Sequence, residues 1–165
     1  MNELRDNAEV GELIQYIVIK IDDEQYGINI KYIDNIVRMQ QITRVPKVDD
    51  YIKGVINIRG EIVPVMSVRK KMGLSEDEIT GKTRIIILKT SEGDLVGIIV
   101  DQVEQVLTLD VNNIEKMRYD SKKDDGNLNR FVDGVGHYDG GLVSILDLDS
   151  VVSEKETKEK ASNAS

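Results

Sequence analysis

Tyr51–Val68 reads YIKGVINIRGEIVPVMSV. Two β-branched runs flank Arg59-Gly60, so the stretch predicts a hairpin with strands near Gly54–Ile58 and Glu61–Met66. Pro64 inside the second run predicts an edge or a bulge there. The pattern returns without a gap at Phe131–Leu148, FVDGVGHYDGGLVSILDL, where Gly134, Val135, Gly140 and Val143 match Gly54, Val55, Gly60 and Val63. An eighteen-residue echo of this kind points to a doubled unit.

The flanks repeat as well. Upstream of the first hairpin, Tyr16–Ile21 (YIVIKI) and Gln25–Ile30 read as strands around the polar turn Asp22-Asp23-Glu24. Their counterparts are Arg84–Leu88 (RIIIL) and Leu95–Val100 (LVGIIV), with Gly97 placed like Gly27, where a bulge or a close backbone approach is expected. Ile33, Ile36 and Val37 sit three and four apart, which suits a short helical turn feeding another strand. Val103, Val106 and Leu107 repeat that spacing. A short helix is expected over Ser67–Leu74, ended at Gly73, and another near Asp147.

Each half thus carries about five short strands. Small open barrels suit such strands because closure limits exposed edges. The expected fold is mainly β: two pseudo-repeated five-stranded barrels packed around a shared core, with short helices. The expected domain is 13–150, with a first barrel mainly at 13–74, a second mainly at 84–150, and strand or helix exchange between them open. The boundary is placed in the polar connector Ser75–Lys82. Residues 1–12 and 153–165 are expected to be mobile tails, and Glu115–Arg130 a long charged loop.

Composition narrows the function. The net charge is -8, from 30 acidic and 22 basic residues, and aromatics make up 4%. A nucleic-acid binder needs a basic face and an aromatic-lined groove, and this balance points away from both. Without Cys, no thiol nucleophile, disulfide framework or zinc-thiolate site can form. No apolar run approaches a membrane span and no basic-then-apolar leader is present, so a soluble intracellular protein is expected.

Candidates for chemistry are few. His137 is the single histidine, so a two-histidine metal site cannot form. It reads as a polar residue at a hairpin end rather than a triad base. Asp147 and Asp149 read as acids at a helix N-terminus, since their spacing does not let them face each other. An enzymatic or ligand-binding barrel using His137 with Asp147 and Asp149 is the rival to a binding module. No metal or cofactor is expected. The hairpin tips differ between copies: Arg59-Gly60-Glu61 against Asp139-Gly140-Gly141. Such tips either vary freely or carry distinct contacts. Ile30, Ile33, Ile36 and Val103 read equally as core or as a partner groove.

YIKGVINIRGEIVPV closely resembles the central signature of the CheW family of bacterial chemotaxis coupling proteins. EQYGINIKYIDNIV resembles the family's first hairpin and following turn, and DLVGIIVDQVEQVL its second-half counterpart. The resemblance spans about Leu13 to Val152; Ile58 stands where the family often has Leu. It implies two SH3-like barrels and a non-enzymatic adaptor. That adaptor would couple the cytoplasmic tip of transmembrane chemoreceptors (methyl-accepting chemotaxis proteins) to the regulatory domain of the histidine kinase CheA. The positions matching the family's receptor groove are Ile30, Ile33, Asn35, Ile36 and Val103. Arg59, flanked by Gly54 and Gly60, matches the arginine tied to receptor and kinase coupling. The kinase contact resembles a barrel-to-barrel pairing and is not assigned to single residues. A cytoplasmic protein recruited to membrane-associated arrays is implied. CheA itself and CheV share the module, but phosphotransfer, ATP-binding and receiver regions have no counterpart in this sequence.

Overall fold

The computed structural model describes residues 11–117 and 128–153. The expectations for most of each tail and for most of the charged loop fall outside these residues; Gly11, within the first tail, donates its amide to the Asp110 carboxylate. Among the described residues, eleven strands form two sheets. Strands β1 (Leu13–Ile21) and β2 (Glu24–Asn29) form the leading hairpin. A 3-10 turn at Ile30–Tyr32 leads into β3 (Ile33–Arg38), and then β4 (Ile52–Ile58) and β5 (Glu61–Ser67) form the central hairpin. Helix α1 (Val68–Lys71) follows, capped by Ser67, whose hydroxyl accepts from the Lys70 amide. The second half supplies β6 (Arg84–Lys89), β7 (Leu95–Val100), β8 (Gln102–Asp110), β9 (Ile114–Lys116), β10 (Val132–Tyr138) and β11 (Gly141–Leu146). Helix α2 (Leu148–Val152) follows, with Asp147 as its cap.

The sheets do not follow the halves of the chain. One sheet has the order β3-β6-β7-β5-β4; the other runs β8-β1-β2-β11-β10-β9. Each half therefore lends its leading hairpin to the other half's sheet. Strands β6 and β7 join β3–β5, while β1 and β2 join β8–β11. The expected division at 13–74 and 84–150 left such exchange open, and the exchanged elements are these hairpins. Sheet membership instead changes at 30–32 and at Asp101. The joints match: β2 meets β11 in parallel at Gly27 and Ile145, and β7 meets β5 in parallel at Gly97 and Val65.

Burial explains the exchange. Tyr16 and Val18 face a small core with Leu109, Val143 and Ile145, whereas Ile17, Ile19 and Ile21 on the opposite face of β1 enter a larger cluster. Strand β6 behaves alike: Ile85 and Ile87 fill the other barrel, and Ile86 and Leu88 enter the large cluster. Alternate residues of one strand thus serve two cores. Each sheet has its own interior, and the large cluster lies between the sheets, built from both. A strand buried on both faces reads as a continuous apolar run, as YIVIKI and RIIIL do.

Pro64 is accommodated without an edge. Val55 turns both backbone groups to Thr43, at 2.9 and 2.8 Å, so its pairing with Pro64 is of the non-hydrogen-bonded kind. The missing N–H then faces the β7 side, where the ladder begins only at Val65. The ladder does shift register nearby, between Ile52 and Gly54. Gly54 itself has φ +142°, and a Cβ there would lie 2.0 Å from the Thr43 carbonyl oxygen. In the second copy Gly134 admits the backbone of Glu115 in the same way. The repeated glycine is therefore a passing place for the segment that crosses the hairpin.

Candidate functional site

Strand β3 carries most of the expected site. Its sequence spacing suggested a helical turn over Ile33–Val37. The helical turn lies earlier, at Ile30–Tyr32, and Ile33–Arg38 is strand. The three-residue spacing arises from a bulge: Ile33 pairs with Leu88 but Asn35 with Ile87, leaving Asp34 as the extra residue. The bulge brings Ile33 and Ile36 to one face, and both pack on the central cluster. Strand β8 repeats the device. Val103 pairs with Ile19 and Gln105 with Val18, leaving Glu104 extra and putting Val103 and Val106 on one face. Val103 packs on the same central cluster as Ile33. The two apolar rows, one from each sheet, thus border a single core.

The remaining expected residues divide. Ile30, in the 3-10 turn, is 40% exposed. Asn35 is partly buried, and its Oδ1 accepts from the Ile36 amide at 2.9 Å, a local bond that steadies the bulge. Val106 was not singled out as a contact residue by sequence, yet it is 50% exposed on the face that Val103 shares. Its signal was present in its match to Ile36.

The tip of the central hairpin leans onto β3. Arg59 and Gly60 have φ of +52° and +85°, the pattern of a type I′ turn, which matches strand twist but normally selects Asn-Gly. Gly60 donates its amide to Asn57 Oδ1 at 2.9 Å. An arginine held in the left-handed region is unusual. Its Nη2 lies 3.2 Å from Oδ2 of Asp34, the bulged residue. Strands β3 and β4 are the two ends of their sheet, so this ion pair and the Thr43–Val55 bridge span the seam where the barrel closes. The Arg59 side chain stays 72% exposed, so the pair steers the side chain more than it stabilises the fold. The second copy does this differently. There the bulged Glu104 accepts from Gln25 Nε2 at 2.5 Å, and Gln25 in turn accepts from the Tyr138 hydroxyl at 3.1 Å. That tip, Asp139-Gly140-Gly141, has no basic residue of its own.

The catalytic rival does not assemble. His137 pairs with Leu142, while Asp147 follows Leu146 at the far end of the same hairpin. Five residues of strand put them about 16 Å apart. His137 Nε2 instead meets exposed Glu115 at 3.1 Å. Asp147 caps α2, accepting from the Ser150 amide and hydroxyl, with Asp149 in the first turn. An open depression of about 670 Å³ is lined by Arg44, Lys47, Asp50, Lys53 and Glu76, among others, but by none of these three residues.

Comparison with known proteins agrees with this architecture. The CheW-like domain family matches residues 15–156. The chemotaxis protein CheW of Bacillus subtilis is 36% identical over 154 residues, covering 93% of this chain and 96% of the relative. That of Thermotoga maritima is 31% identical over 159 residues, covering 96% and 99%. The crystal structure of the scaffolding protein TtCheW from Thermoanaerobacter tengcongensis superposes with a TM-score of 0.72 at 29% identity, over 82% of this chain and 90% of that one.

Proposed function

This chain belongs to the CheW-like family of chemotaxis adaptor proteins, and from that premise we propose how it couples its partners. The cytoplasmic tip of a chemoreceptor seats on the apolar seam of Ile30, Ile33, Ile36 and Val103, with the polar Asn35 between Ile33 and Ile36 on β3. Arg59 stands beside that seat and transmits the receptor's state to the histidine kinase CheA. The observation that carries this reading is the pair of bulged strands, which bring apolar rows from both sheets to one core and set the exposed Arg59 beside one of them.

A helical hairpin offers an amphipathic ridge, and such a ridge recognises an apolar groove through residues three and four apart. Each contact is modest; an array raises its effective strength by multivalency. Control then comes from relative position in a complex, and no bond is made or broken in this chain. The kinase contact is a barrel-to-barrel pairing with the CheA regulatory domain. The protein works in the cytoplasm, recruited to membrane-associated arrays. Among the described residues no helix is long and apolar enough to cross a membrane.

Co-sedimentation with receptor signalling fragments and CheA tests the reading. Ile33→Asp is expected to weaken binding of the receptor fragment while the protein stays folded. Arg59→Asp is expected to abolish receptor control of the kinase without unfolding the chain. Unchanged binding by folded Ile33→Asp protein would show that the seat lies elsewhere.

A further inference from the structure

Arg69, the second residue of α1, is a buried cation outside the seam, with 7% of its surface exposed. Its Nε lies 3.1 and 3.2 Å from the two carboxylate oxygens of Asp101, and its Nη2 lies 2.6 Å from Oδ2. Its Nη1 donates to Ser75 Oγ and the Glu76 carbonyl, at 3.1 and 3.3 Å. Asp101 is the single residue between β7 and β8, where the chain leaves one sheet for the other. It also accepts from the Asp22 amide at 2.7 Å, and its own amide donates to the Lys20 carbonyl at 3.0 Å. One guanidinium thus ties α1, the connector after it, the crossing point and the β1–β2 turn together. Val103 follows Asp101 by two residues.

We infer that Arg69 is a positioning residue, whose fork onto Asp101 fixes the relative placement of the two sheets and hence the spacing of the two apolar rows. Two physical points carry this. A guanidinium fork fixes orientation as well as distance, which a lysine ammonium does not. A buried ion pair is a weak source of net stability compared with apolar residues of the same shape, and definition of one arrangement is the role that remains for it here. The pairing is also absent from the repeat: Lys31 and Asp149 stand at the matching positions with the charges exchanged, and Lys31 lies over the Tyr32 ring at 5.0 Å. The consequence for binding rests on the receptor seat proposed above; the consequence for sheet placement does not.

The test uses two spin labels, at Ile62→Cys and Leu142→Cys, exposed sites on different sheets of a chain with no other cysteine. Wild type is expected to give one narrow distance distribution. Arg69→Lys, which keeps the charge, and the double variant Arg69→Met with Asp101→Leu, which leaves no orphaned ion, are expected to broaden or shift it. Receptor-fragment affinity should fall about tenfold in both, with Ile33→Asp as the comparison. An arginine that merely stabilised the fold would lower the melting temperature and leave the distances of the folded protein unchanged, and that result overturns the inference. Altered distances with undiminished receptor binding support the positioning role and count against the receptor seat.

Discussion

Arg59 occupies a backbone conformation that costs a non-glycine residue about 1–2 kcal/mol. Its exposed ion pair with Asp34 returns less than about 1 kcal/mol, so local stability does not account for the residue. Arg59→Gly separates the two roles. Glycine relieves the strain but gives back about 0.5–1 kcal/mol through the freedom of the unfolded chain. The unfolding free energy from denaturant titration should therefore stay within about 1 kcal/mol of wild type, while receptor control of the kinase is lost. Retained control in the glycine variant would remove Arg59 from the mechanism. The neighbouring glycines behave oppositely. A Cβ on Gly60 meets nothing within 4 Å, so Gly60→Ala should cost only the about 1–2 kcal/mol of its left-handed backbone. Gly54→Ala collides with the Thr43 carbonyl and should cost clearly more by urea unfolding, because the bridge that closes the barrel must open.

The element that decides the site is a bulged strand, and this is where sequence reasoning fell short. A three-residue apolar spacing is the signature of a helical turn, and a single extra residue in a strand produces the same spacing. Period alone could not separate them; only the partner strand does, since the bulge is defined by Asp34 and Glu104 facing no residue of β6 and β1. The hairpins were legible because glycine and β-branched residues report local geometry. The Arg59–Asp34 pair was not, because it depends on the curl of a whole sheet. On the bulged strand β8, Val106→Asp should weaken receptor-fragment binding with little effect on thermal stability, since the residue is half exposed. The connector 75–82 offers a different test. Asp77 is partly buried, neither carboxylate oxygen has a hydrogen-bond partner, and burial raises its pKa, although Ser67 lies near enough to hold the shift back. The folded protein therefore holds this proton more tightly than the unfolded chain, so its contribution to stability falls as pH rises above about 3.8, the ordinary value for Asp. Asp77→Asn should stabilise the protein at pH 7, and the gain should vanish in melts at pH 3.

At the scale of the molecule, hairpin exchange makes the halves interdependent. The connector 75–82 reads as a boundary by composition, yet the chain before it holds β1–β5 and the chain after it β6–β11, and neither set completes a sheet. The first set lacks the β6–β7 pair that joins β3 to β5; the second lacks β1–β2, which stands between β8 and β11. The central cluster draws Ile19 and Ile28 from one set and Ile86 and Ile98 from the other, so each half alone would expose apolar faces of several strands. A chain divided at Gly81, in the exposed turn of the connector, is therefore expected to give two fragments that are unfolded or aggregated separately. Mixed, they should form a one-to-one complex with the native spectrum, because the exchanged hairpins supply the missing strands without covalent linkage. Circular dichroism and size-exclusion measurements on each fragment and on the mixture decide the point. A first fragment that folds alone would mean that β3–β5 close a barrel without β6 and β7. The two apolar rows of the proposed seat would then not depend on the partner half for their placement.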